Sequence, residues 1–134
     1  MNIVDVEGIG PTHAASLGAA GVTTTDQLLE RGAKPAGRQS LADATGISPM
    51  LILEWVNHVD LYRISGVGSE YSDLLEAAGV DSPAELANRN ASNLAITFQE
   101  VAAARPDWSR RLPSEETVAD WIAQARNLPR IVEH

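Results

Sequence analysis

Three histidines, His13, His58 and His134, are the side chains best suited to metal or general-base chemistry, and none has a working neighbour in sequence. A zinc site needs ligands at characteristic spacings. No His-Glu-x-x-His pair occurs here, and the chain has no cysteine. A serine nucleophile needs a base and an orienting group. There is no Gly-x-Ser-x-Gly elbow, and no Gly-x-x-x-x-Gly-Lys-Ser/Thr loop to cradle a nucleotide. What carries meaning is a pair of glycine motifs, Gly8-Ile9-Gly10 and Gly66-Val67-Gly68. Two glycines flanking one apolar residue make a tight hairpin whose middle side chain enters the core. The helix that follows presents backbone N–H groups at its start, where an anion is favoured. The sequence therefore predicts no catalytic residue, no metal and no cofactor, and directs attention to binding.

The elements around these motifs repeat. Glu7-Gly8-Ile9-Gly10-Pro11 matches Ser65-Gly66-Val67-Gly68-Ser69, and Leu17-Gly18-Ala19-Ala20-Gly21-Val22 matches Leu75-Glu76-Ala77-Ala78-Gly79-Val80. The offset of 58 residues holds through Thr25/Pro83, Leu28/Leu86 and Arg31/Arg89. Residues 48–56 and 114–122 form a further echo at an offset of 66, with Trp55 opposite Trp121. The extra eight residues of the second copy fall within 103–112, around Pro106. The chain is divided accordingly into repeat one, residues 1–63, and repeat two, residues 64–134.

Each repeat reads as helical, with no alternation of apolar and polar residues at period two. Thr24 with Gln27, and Ser82-Pro83 with Glu85, are capping boxes. Ser48-Pro49 and Ser114-Glu115-Glu116 mark two more helix starts, and Gly21 and Gly79 suit left-handed C-terminal caps. The pattern predicts helices near 11–20, 25–31, 36–45, 49–60, 69–78, 83–89, 92–104 and 115–127. Val118, Trp121, Ile122 and Ala125 make one apolar stripe. Helix 49–60 is apolar nearly all round and is predicted to be a central buried helix joining the repeats. The fold class is all-α, two tandem repeats packed into one domain.

The segments 6–22 and 64–80 resemble the helix-hairpin-helix motif. That resemblance implies a phosphate site at each glycine hairpin, made by the turn and the next helix's N-terminus beside a monovalent cation. Carried onto this sequence, the candidate phosphate contacts are Gly8, Gly10, Thr12 and His13 in the first hairpin and Gly66 and Gly68 in the second, with Arg110 and Arg111 touching the backbone. The chain also resembles an uncharacterised prokaryotic family of tandem helix-hairpin-helix proteins, a domain of unknown function. The resemblance runs through residues 7–21, 45–48, 53–57, 66–80, 110–114 and 120–125, and it implies a fold but no activity. Hairpins that bind DNA usually carry lysine or arginine just after the second glycine. Here those positions hold Pro11-Thr12-His13 and Ser69-Glu70-Tyr71.

Charge bears on the choice of partner. The formal net charge of the 134 residues is −8, so binding nucleic acid mainly through charge is disfavoured. Nine arginines accompany a single lysine, Lys34. A nucleic-acid binder with this balance must gather its arginines on one face. The reading placed first is a non-catalytic module for protein–protein interaction or self-association, with Tyr62, Glu70, Tyr71 and Asp73 as contact residues. Nucleic-acid backbone binding through the hairpins is the alternative, and an enzyme with an unrecognised site is the remote one. No run of eighteen apolar residues occurs, and the first residues lack a basic segment followed by an apolar one, so membrane and secretory readings are set aside and a cytoplasmic protein is expected.

Overall fold

The computed structural model describes residues 1–105 and 112–134. Among these there are eight α-helices: α1 (Pro11–Ala19), α2 (Thr25–Gly32), α3 (Pro35–Thr45), α4 (Pro49–Asp60), α5 (Ser69–Ala77), α6 (Pro83–Ala87), α7 (Ala91–Ala104) and α8 (Glu115–Asn127). Short 3-10 turns at Ile3–Asp5 and Leu61–Arg63 precede the two glycine motifs. The described residues contain no strand, only an isolated antiparallel bridge between Asn2 and Thr24. No helix among them is long and apolar enough to cross a membrane.

The chain divides into two units, Met1–Asp60 with Arg130–His134, and Leu61–Pro129. In the first unit α2 and α3 pack on α4, and α1 packs on α3. In the second, α6 and α7 pack on α8, and α5 packs on α7. The second core gathers Leu61, Ile64, Val67, Leu74, Leu75, Val80, Leu86, Phe98, Trp121 and Ile122. The predicted stripe of α8 is buried at all four positions. Helix α4 is buried at Ile52 and continuously from Trp55 to Asp60, while Met50 in its first turn is 82% exposed.

The motifs fold alike in both units. Ile9 N–H donates to Val6 O, and Val67 N–H to Ile64 O, each at 3.0 Å. Gly8 at φ +89° and Gly66 at φ +93° occupy the third position of these turns, where positive φ belongs to glycine. The residue between the glycines is buried, Ile9 at 1% and Val67 at 4% exposure. A tryptophan lies beneath each turn. A Cβ on Gly8 would stand 3.7 Å from Trp55 Nε1, and one on Gly66 would stand 3.3 Å from Trp121 Nε1. Ten residues on, both helices close in a Schellman motif. Val22 N–H reaches Leu17 O (2.9 Å) and Val80 N–H reaches Leu75 O (2.8 Å), with Gly21 and Gly79 both at φ +89°.

Local capping follows the sequence with one difference. The Thr24–Gln27 capping box forms in both directions. At α6, Ser82 Oγ accepts from Glu85 N–H (3.2 Å), but the Glu85 carboxylate pairs with Arg89 at 3.0 Å. A charge-assisted bond to a guanidinium outcompetes a neutral backbone donor.

Residues 130–134, assigned on sequence to the second repeat, belong to the first unit. Glu133 N–H donates to Ala33 O at 2.7 Å, and Val132 is 1% exposed. Arg38, itself 5% exposed, secures the tail by donating to Gly32 O and to Glu133 O, both at 2.8 Å. Its burial lowers the guanidinium from its usual value, opposed by the Glu133 carboxylate. A guanidinium stays charged in proteins regardless.

Two stability measurements follow. Gly66→Ala should lower the unfolding free energy by about 1–2 kcal/mol in urea titrations, from the left-handed conformation alone. Gly68→Ala should cost less, because Gly68 has an ordinary extended backbone and nothing within 4 Å of its added Cβ. Equal costs would exclude the turn geometry as the constraint. Arg38→Ala orphans two backbone carbonyls and should cost about 1–3 kcal/mol. Arg38→Lys should recover little of it, since an ammonium cannot reproduce the planar fork.

Candidate interaction surface

In the first hairpin, Gly10 is the N-cap of α1 and supplies no side-chain cap. Pro11 at the first helical position has no N–H, which leaves the amides of Thr12 and His13 in the opening turn. Thr12 is exposed, and its carbonyl accepts from Ser16 Oγ at 3.2 Å. The His13 ring is turned inward onto Trp55, edge to face, with centroids 5.0 Å apart. Packing on the indole is therefore the role the fold gives this histidine.

The second hairpin differs in charge. Gly68 caps α5, and Glu70 is exposed in the first helical turn. That carboxylate occupies the favourable end of the helix dipole and would repel a phosphate brought there. Tyr71, at the position of His13, lies on Trp121 with centroids 5.1 Å apart and is half-buried. Asp73 faces Arg105 at 4.0 Å, a half-exposed pair worth little to stability. Tyr62 lies in the 3-10 turn, half-buried, with its hydroxyl oxygen enclosed. So the structure joins Tyr71 to Trp121 and Asp73 to Arg105, and it presents Glu70 to solvent. Ser72, between Tyr71 and Asp73, is fully buried, and its Oγ has no hydrogen-bond partner among the described residues. Position 14, its counterpart in the first repeat, is alanine.

The arginines are bound to their own chain. Arg31 donates to Ala20 O (3.1 Å) and Arg89 to Gly79 O (3.2 Å), carbonyls one register position apart just past the ends of α1 and α5. Arg63 donates to Pro129 O (2.6 Å), Arg126 to Ala87 O (3.2 Å) and Arg130 to Val132 O (3.0 Å). With Arg38 on two carbonyls and Arg105 on Asp73, all seven described arginines have an intramolecular partner. A carbonyl at a helix end is a planar acceptor that suits the guanidinium fork better than an ammonium. This gives the excess of arginine over lysine a structural reason. Arg110 and Arg111 lie outside the described residues.

Two surface cavities open in the second unit. One, of about 420 Å³, is lined by Asn88, Arg89, Asn90, Ile122 and Arg126 among others. The other, of about 350 Å³, lies between Ile96 and Gln99 on one side and Leu112 and Pro113 on the other. Sequence reading passed over Arg126 and Asn88, since nothing local distinguishes them from solvated helix residues. No group of three or more His, Asp or Glu among the described residues is placed to hold a metal ion. His58 is buried on α4, and His134 Nε2 lies 2.7 Å from Asn57 Oδ1.

Replacing Ser72 by alanine should leave stability unchanged or raise it by about 1 kcal/mol, because a buried hydroxyl without a partner is a net cost. A loss greater than that in thermal unfolding would mean the hydroxyl has a partner in solution.

No curated protein and no solved structure matches this chain. Residues 7–128 match a family model described as a domain of unknown function, DUF4332. Matched by that model over most of its length, the chain belongs to the DUF4332 family.

Proposed function

We propose that the two units are helix-hairpin-helix-type repeats, and that the protein is a non-catalytic interaction module whose partner is another protein or a second copy of the chain. The observation that carries this reading is the engagement of the arginines. Nucleic-acid affinity comes largely from cations free to replace counterions along the phosphate backbone. In this chain the seven described guanidiniums serve backbone carbonyls or a carboxylate, against a net charge of −8. The acidic start of α5 supports the same choice. Glu70 is exposed in the first turn of α5, in a segment that also carries half-buried Tyr62, Tyr71 and Asp73. Tyrosine edges beside carboxylates suit a protein surface with cationic or amide donors.

Nucleic-acid backbone binding at the first hairpin is the reading to test against it. Gly10, Thr12 and the His13 amide form an uncapped helix start without a carboxylate in its first turn. The decisive comparison titrates labelled single- and double-stranded DNA and RNA into the protein at about 50 and 200 mM salt, the range over which phosphate contacts lose strength. Gly10→Glu serves as the hairpin variant. We expect no micromolar binding at the lower salt. We also expect sedimentation, or capture of a protein partner, to give an association that persists at the higher salt and weakens in Glu70→Lys. Micromolar binding to nucleic acid that salt and Gly10→Glu both weaken would replace the protein-partner reading.

A further inference from the structure

The two repeats dispose of one corresponding groove differently. In the first unit, the turn between α2 and α3 and the second half of α4 are covered by the chain's own residues 130–134. The attachment has the form of bound extended peptide. A main-chain N–H of Glu133 meets Ala33 O (2.7 Å), and its carbonyl accepts from Arg38 (2.8 Å). The Val132 side chain is buried, and His134 reaches Asn57 on α4 (2.7 Å). The corresponding place in the second unit is the turn between α6 and α7 together with α8. Leu53, Val56, Asn57 and Asp60 of α4 correspond there to Ala119, Ile122, Ala123 and Arg126 at the offset of 66. That place is the cavity of about 420 Å³ lined by Asn88, Arg89, Asn90, Ala119, Ile122 and Arg126.

We propose that this groove of the second unit binds an extended acidic peptide segment of a partner protein, one apolar side chain resting on Ile122 and a neighbouring carboxylate meeting Arg126. The proposal rests on the protein-partner reading above and names the chemistry of that partner. Charge sets the occupant. The lining of the second groove carries Arg89 and Arg126 and no carboxylate. Arg126 spends only its Nε on Ala87 O, which leaves both terminal nitrogens to take a carboxylate in the two-pronged geometry. Arg89 is the lesser receptor, since its Nη2 already serves Glu85 and Gly79 O. The three lining residues of the turn, Asn88, Arg89 and Asn90, are polar, and Ala91, Ala119 and Ile122 are the apolar lining.

The test uses the full ¹⁵N-labelled chain and a synthetic peptide, acetyl-Gly-Ile-Val-Glu-Glu-Gly-amide, with its Gln-Gln counterpart as control. Amide shifts are followed up to about 5 mM peptide, an affinity range reachable by so short a segment. Saturable shifts are expected at Asn88, Arg89, Asn90 and along residues 119–126, with Ala33 and Asn57 unmoved. The Gln-Gln peptide should bind about tenfold more weakly, the loss of one charge-assisted pair. Asn88→Glu places a repelling carboxylate at the rim without removing any bond of the fold, and should weaken binding to the same extent. Arg126→Ala should do so as well. Absence of shifts, or shifts equal for both peptides and indifferent to Asn88→Glu, would overturn the groove assignment. A partner protein still captured by the Asn88→Glu chain would leave the broader protein-partner reading standing while this one falls.

Discussion

The approach of a tryptophan to a turn that has no Cβ is the contact on which each unit is built. Trp55 lies under Gly8, and Trp121 under Gly66, close enough that a methyl group on Gly66 would crowd the indole. Because the turn adopts positive φ there, the apolar residue after it drops into the core as Ile9 or Val67. The same turn fixes where the next helix begins, and ten residues later the Schellman motif fixes where it ends. Burying an indole of this size is worth several kcal/mol, and its loss in a core typically costs about 3–5 kcal/mol. That is a large part of the stability of a unit this small. The second aromatic layer, His13 or Tyr71, seals the other side of each tryptophan and is thereby committed to packing.

Helix ends explain the use of charge. Eight short helices leave many carbonyls without intrahelical partners, and the chain answers with guanidiniums. Arg31 and Arg89 each reach a carbonyl just past the end of the first long helix of their unit, and Arg38, Arg63 and Arg126 serve carbonyls elsewhere. The seven described arginines are engaged within the fold, and among the described acidic residues only Asp60 is buried. A net charge of −8 with its described arginines so engaged leaves a predominantly negative exterior.

The two units differ both at exposed and at buried positions. The turn, the buried apolar residue and the tryptophan are held in common. The first helical turn changes from Pro-Thr-His to Ser-Glu-Tyr, Ala14 becomes Ser72, and Asp60 becomes Arg126. Residues 130–134 complete the first unit only, through Arg38, Val132 and Glu133. The two units thus share the turn and tryptophan contacts and differ at positions around them.

All eight helices were legible in the sequence to within about two residues, because caps, glycines and apolar periodicity are local signals that act through the nearest few residues. The two glycine turns and the two glycine caps were legible for the same reason, since matched glycines record matched backbone. The candidate site was legible only in part. Gly8, Gly66, Glu70 and the hairpin positions could be named, but not that His13 and Tyr71 turn onto tryptophans 42 and 50 residues away. Nor could Glu85 be seen to leave its capping box for Arg89, or Arg38 to tie down a tail 95 residues on. Periodicity states which face of a helix is apolar and is silent on what covers it. Which carbonyl an arginine reaches, and which end of the chain fills a groove, are contacts between segments remote in sequence, and only the packed structure decides them.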